Sequence, residues 1–168
     1  MFLIVVPGVV AGLIPWQLTG WGVNHWPLPI RLAGLPMIIA GLGVLVDAFA
    51  RFALEGLGTP APIAPTRSLV IRGAYRYVRN PMYLAVAMLL VGQGLLLGQP
   101  GLLVYAAAFG IAVALFVRVY EEPTLARRFG AQYEAYRRSV PAWRPRVTPW
   151  APRTRDPGGL EDSAGGRG

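Results

Sequence analysis

The sequence predicts an all-α integral membrane protein with about four transmembrane helices, a cytoplasmic loop between the second and third, and an amphipathic helix after the fourth. Three observations predict it. Of 168 residues, 54% are hydrophobic and only 14% are charged, and a mean hydropathy of +0.46 leaves too little polar surface for a soluble globular domain or a disordered chain. No charged residue occurs from Met1 to Ile30 or between Arg79 and Arg118, and a hydrocarbon core of ~30 Å takes roughly 20 apolar residues per helix. The 16 basic residues, all arginine, segregate by position. Arg31 alone falls on one side of the spans; Arg51, Arg67, Arg72, Arg76, Arg79 and those from Arg118 onward fall on the other, which the positive-inside rule makes cytoplasmic.

The first span, about 1–20, has neither the basic start nor the cleavage site of a secretory signal. It is expected to be retained, with Pro7 and Pro15 as points of kinking. The second, about 30–54, carries LAGLPMIIAGLGVLV followed by Asp47 and Arg51, which share one helical face. The long uncharged stretch splits at Gln99-Pro100-Gly101, a turn signal, into spans at about 81–98 and 101–120. In the loop between the second and third spans, Gly58 to Pro65 is proline-rich and is expected to be extended, and SLVIRGAYRYVRNPMY follows. From about 121 to 140, Leu125, Phe129, Tyr133, Tyr136 and Val140 recur at helical intervals opposite Arg127, Arg128, Glu134, Arg137 and Arg138. This pattern predicts a helix lying at the cytoplasmic membrane surface. The domain is expected to cover 1–147; residues 148–168, mostly Pro, Gly, Arg and small polar residues, read as a disordered tail.

Several chemistries are excluded at once. Without cysteine there is no disulfide framework or thiol nucleophile, and a single histidine, His25, argues against a metal centre and against a Ser-His-Asp set. A net charge of +8 is explained by topology rather than by nucleic-acid binding. Gly41-Leu42-Gly43 lies inside an apolar helix, so its plain reading is close helix packing and not a dinucleotide fingerprint. What remains is a polar cluster at the cytoplasmic ends of the spans: Asp47 and Arg51, then Arg79, Asn80 and Tyr83, then Arg118, Glu121 and Glu122. Adjacent carboxylates at a membrane edge are favourable only where cations meet them, either the local arginines or a cationic ligand. Tyr75, Tyr77 and Tyr83 add aromatic faces that attract cations when desolvated, although tyrosine also serves as an interfacial anchor.

Three motifs in order and spacing carry a resemblance: residues 72–83 (RGAYRYVRNPMY), Glu121-Glu122-Pro123-Thr124-Leu125, and Phe129-Gly130-x-x-Tyr133-x-x-Tyr136-x-x-x-Val140-Pro141. From roughly Gly41 to Pro145 the chain resembles the isoprenylcysteine carboxyl methyltransferase and phospholipid N-methyltransferase superfamily of integral membrane enzymes. The resemblance implies methyl transfer from S-adenosylmethionine to a lipophilic acceptor held between the membrane helices, with the loop and C-terminal helix forming the cofactor pocket. It also implies roles for individual residues. Leu69 and Val70, with Arg67 and Ser68 before them, match the segment that wraps the cofactor. Tyr75, Asn80, Pro81, Met82 and Tyr83 match further cofactor contacts. Glu122, with Glu121 beside it, matches the acidic contact, and Gly41 and Gly43 match a Gly-x-Gly assigned to the cofactor in the phospholipid branch. Arg118 matches a substrate-contacting arginine of the carboxyl methyltransferase branch. That branch often carries histidine at the positions of Asn80 and Arg67, and the departure detaches the substrate assignment from prenylcysteine.

The residue types suit such a ligand. The sulfonium and ammonium of S-adenosylmethionine match Glu121, Glu122 and tyrosine faces, and its carboxylate matches an arginine. Methyl transfer is a direct displacement that needs alignment and exclusion of water, without a metal or a covalent nucleophile. A carboxylate acceptor would be oriented by Arg118, as in an isoprenylcysteine carboxyl methyltransferase; an amine of a phospholipid or small lipid must first lose a proton, to Asp47, Glu121 or Glu122. No single side chain is picked out as catalytic. Outside enzymology, a small four-helix transporter using Asp47 or a membrane scaffold are the alternatives. The expected setting is a bacterial inner membrane, multi-pass, with both termini cytoplasmic, membrane lipid as partner and no nucleic acid.

Overall fold

The computed structural model describes residues 6–55, 71 and 73–151, with backbone alone for 51–55. Regular structure among the described residues is entirely helical. The first helix, α1 (Val6–Thr19), contains a π-helical stretch at Val9–Leu13. Pro15 accounts for it: proline has no N–H to donate, and its ring pushes away the carbonyl four residues earlier, that of Ala11. Carbonyls released inside a bilayer need new donors. Gln93 Nε2 donates to Ala11 O at 2.8 Å, and the Tyr105 hydroxyl donates to Val10 O at 3.2 Å.

A short α2 (Leu28–Leu32) precedes α3 (Gly34–Glu55), with a turn at Ala33 between them. The fourth helix, α4 (Pro81–Leu97), opens on a proline, which suits a first turn whose N–H groups are unpaired anyway. It closes at Gly98, whose φ of +66° is the left-handed conformation that ends many helices. Pro100 then starts α5 (Pro100–Phe116), one residue ahead of the expected boundary. A π-helical turn at Val117–Glu121 leads directly into α6 (Glu122–Ser139). The fourth span and the amphipathic helix are therefore joined without a loop, and the bend comes instead at Gly130, with φ 49° and ψ −127°.

Glycine sets how closely α3 and α4 approach. A Cβ on Gly41 would stand 2.7 Å from the Ala85 carbonyl, and one on Gly92 would stand 2.7 Å from Ile38 Cγ1. Around these contacts Leu45, Ala85, Val86, Leu89, Leu90 and Ala106 form the core. The outward faces are apolar too: Ile39 and Val104 are each 70% exposed, which fits lipid as the surrounding medium. Leu28–Ala50 and Pro100–Ser139 are long and apolar enough to cross a membrane, while Val6–Thr19 and Pro81–Leu97 are shorter apolar helices.

The helix ends differ. At one, Asn24 N–H donates to Leu97 O, Gln99 Nε2 to Gly22 O, and Arg31 Nε to Leu96 O, closing off the turn between α4 and α5. At the other, α3 ends, α4 begins and α5 turns into α6. Here Tyr133, Tyr136 and Val140 are buried against Ile71 and Trp150. Part of the apolar face that the sequence assigned to the membrane surface is thus covered by the chain itself, where two tyrosine hydroxyls find protein partners. Trp150, read from sequence as part of the tail, donates its N–H to Arg76 O and accepts from Arg76 Nε at its own carbonyl.

Candidate active site at the polar ends of the helices

The site begins with the backbone between Gly73 and Asn80. A 3-10 turn at Gly73–Arg76 is followed by a segment that pairs with residues after α6. Arg79 N–H donates to Pro141 O and Arg146 N–H to Tyr77 O, both at 2.9 Å. Asn80 precedes α4 but does not cap it; its buried side-chain amide donates to Ala142 O at 3.3 Å. These bonds fix residues 141–150 as a strap across the entrance to α4.

Arg79 is the hub. Its Nη1 donates to Glu122 Oε1 at 2.8 Å and to the Tyr133 hydroxyl at 3.2 Å, with the arginine side chain 12% exposed and that of Glu122 17%. Arg79 Nε is buried with no hydrogen-bond partner among the described residues. The neighbouring Glu121 takes a different direction and accepts from the Tyr83 hydroxyl at 3.1 Å. Glu121 ends the π-helical turn and Glu122 begins α6, and the two carboxylates diverge to separate partners, which offsets part of their mutual repulsion. Burial raises the Glu121 carboxyl above the ordinary range; the Tyr83 bond opposes this and the Glu122 charge adds to it. Burial, with Glu121 nearby, likewise raises the Tyr75 hydroxyl. Tyr136, raised chiefly by burial, donates to the Tyr75 carbonyl at 2.7 Å.

Two cavities open beside this network. A charged one of about 580 Å³ is lined by Val117, Arg118, Glu122, Ala126, Arg137 and Trp143, among others, and lies within the ~300–1,000 Å³ usual for ligand sites. An apolar one of about 190 Å³ runs between α4 and α5, past Tyr83, Leu84, Ala87, Phe109, Gly110 and Val113. Ala114 and Trp143 line both.

The residues singled out from sequence divide accordingly. Asn80, Pro81, Tyr83, Glu121 and Glu122 meet around the start of α4 and the turn into α6, with Tyr75 beside them and Arg118 exposed on the charged cavity. Met82 is half-buried in the first turn of α4. Gly41 is buried in the α3–α4 contact, whereas Gly43 faces open space, with nothing within 4 Å of a Cβ there. Arg67, Ser68, Leu69 and Val70 lie outside the described residues. Sequence reasoning placed Arg79 in the polar cluster without giving it a site role, and it missed Arg137 and Trp143. For Trp143 a signal existed, an aromatic residue two positions after Val140-Pro141 at the end of an interfacial helix.

The charged cavity can receive a ligand bearing both signs of charge. Among the described residues Glu122 Oε2 has a single, long contact of 3.7 Å, to the half-exposed Arg137, which leaves it capacity to accept from an ammonium, and Arg118 and Arg137 offer donors to a carboxylate or phosphate. No curated protein and no solved structure matches the chain. The phospholipid methyltransferase family matches residues 30–132, more than half of the chain, taking in α3, α4, α5 and the Glu121-Glu122 pair; the chain belongs to this family of membrane methyltransferases.

Proposed function

We propose that the protein transfers a methyl group from S-adenosylmethionine to a lipophilic acceptor, holding the cofactor in the charged cavity and admitting the acceptor from the bilayer through the apolar cleft. The observation that carries this reading is the meeting of those two cavities at Ala114 and Trp143. In the proposed topology four helices span the membrane and both termini are cytoplasmic, which puts the arginine-rich end and the charged cavity on the cytoplasmic side.

Bound S-adenosylmethionine supplies an electrophilic methyl group. Glu122 is assigned to its ammonium or sulfonium and Arg118 or Arg137 to its carboxylate. Arg79 holds Glu122 in place through the 2.8 Å ion pair. Tyr83, at the boundary between lipid-facing cleft and polar network, orients Glu121 through its hydroxyl.

The Tyr83–Glu121 pair favours nitrogen as the acceptor. An ammonium has to lose a proton before it can attack, and a buried carboxylate with a raised pKa, hydrogen-bonded to Tyr83 of the cleft, suits that role. Glu121 would hold that proton while the neutral amine is methylated. A carboxylate acceptor, as in the isoprenylcysteine carboxyl methyltransferases, needs no base and would be oriented by Arg118.

Calorimetry of S-adenosylmethionine with the detergent-solubilised protein, with and without added lipid, tests the reading. Saturable binding is expected, weakened by about tenfold in Glu122→Gln through loss of a charge-assisted contact. Folded wild-type protein that does not bind overturns the proposal; unchanged affinity in folded Glu122→Gln removes that residue from the site.

A further inference from the structure

The charged cavity and the apolar cleft have two walls in common, Ala114 of α5 and Trp143 of the strap. One contributes a methyl group and the other an indole, so most of the bulk between the two cavities belongs to Trp143. Its backbone is held on both sides. Pro141 O accepts from Arg79 N–H, Ala142 O from Asn80 Nδ2, and Arg146 donates N–H to Tyr77 O and Nη1 to Ser139 O. Trp143 is 37% exposed. An indole has a flat apolar face for hydrocarbon, a polar edge for water, and a π-face that attracts cations when desolvated. Trp143 also lies beyond the residues matched to the family.

We propose that Trp143 is the specificity-determining partition of this enzyme, admitting only the narrow reactive end of a lipid acceptor from the apolar cleft into the charged cavity. The inference rests on the methyltransferase reading above and adds that the acceptor's hydrocarbon stays between α4 and α5 while its reactive end passes the indole. The small residues Ala87, Gly110 and Ala114 make room for that hydrocarbon. Bulk is excluded at the indole and not by the charged residues behind it.

The test places wild-type protein, Trp143→Phe and Gly110→Leu in nanodiscs containing phosphatidylethanolamine with brominated acyl chains. The difference in fluorescence between wild type and Trp143→Phe isolates the Trp143 signal, which the bromines are expected to quench. Gly110→Leu fills the cleft and folds, since no atom lies within 4 Å of a Cβ at that position and leucine favours helix over glycine. Most of the Trp143 quenching is expected to be lost in that background, read against the double variant with Trp143→Phe. Quenching that is absent, or equally strong with the cleft filled, overturns the partition.

A second readout compares methyl transfer to phosphatidylethanolamine and to its bulkier N-benzyl derivative. Trp143→Ala is expected to shift the ratio toward the bulkier amine by about tenfold or more. An unchanged ratio overturns the role in specificity, and because both amines share the cofactor, a general loss of activity cancels. Quenching requires no turnover and decides the inference where neither amine is methylated. Lack of S-adenosylmethionine binding together with cleft-dependent quenching overturns the methyltransferase reading; binding with cleft-independent quenching overturns the partition alone.

Discussion

Where α3 crosses α4, the helices meet through missing side chains: Gly34 lies against the Gly92 carbonyl, and Gly41 against Ala85 and Leu89. Where the start of α4 meets α6, the elements meet through Arg79, Glu122, Tyr133, Tyr83 and Glu121 in a chain of polar contacts between 2.8 and 3.2 Å. The first contact gains from close packing, which is the main attraction available where lipid is as apolar as the side chains. The second gathers charges that are mostly buried, and a mostly buried charge is tolerable only with a partner. The contrast teaches that the glycine seam sets how closely the helices pack while the polar network ties the start of α4 to α6. The two respond to different substitutions.

The largest effect is expected in the polar network. Arg79→Ala removes the nearer of the two arginines that meet a mostly buried Glu122 and a donor to Tyr133, and should cost on the order of 3 kcal/mol in denaturant unfolding monitored in detergent. A loss below about 1 kcal/mol would reduce the hub to an ordinary surface pair.

The glycine seam supplies the next comparison, between two residues only two positions apart. Gly41→Ala should destabilise by about 1–3 kcal/mol, because its new methyl meets the Ala85 backbone. Gly43→Ala meets nothing within 4 Å and should stabilise the helix by up to ~1 kcal/mol. Thermal unfolding of both variants checks the sign. Equal effects would show that the seam does not run where these contacts place it.

The smallest effect concerns Glu121. Its carboxyl is raised in the folded state, so the native protein binds the proton more tightly than the unfolded chain does. The associated stabilisation is present below the ordinary carboxylate range and is lost as pH rises through the raised folded value. Glu121→Gln, which still accepts from Tyr83, should flatten this part of the stability profile and be no less stable than wild type at neutral pH. The same variant should lose transfer to an amine acceptor. A profile unchanged from wild type would show that the carboxyl is not desolvated.

Much of this was legible in the chain. The uncharged stretches announced four apolar helices, and Leu125, Phe129, Tyr133, Tyr136 and Val140 announced the buried face of α6, because burial leaves a periodic trace in sequence. The polar cluster was legible as a set, from charges at the ends of apolar runs. The continuity of α5 into α6 was not, since the Glu-Glu-Pro sequence resembles a loop, yet proline is compatible with the first turn of a helix continued through a π-helical step. The covering of α6 was also hidden, because an amphipathic face does not say whether protein or membrane will occupy it.

Sequence by itself determined the helical class, the places where apolar runs begin and end, and the residue types gathered at one end of them. Tertiary structure alone decided that Glu121 turns to Tyr83, 38 residues away, and Glu122 to Arg79, 43 residues away. It also decided that Trp143 stands where an apolar cleft meets a charged cavity. The reason is physical: hydrophobicity and helix formation act on neighbouring residues and are written locally. The partner of a partly buried charge is chosen by whichever group the folded chain brings within about 3 Å.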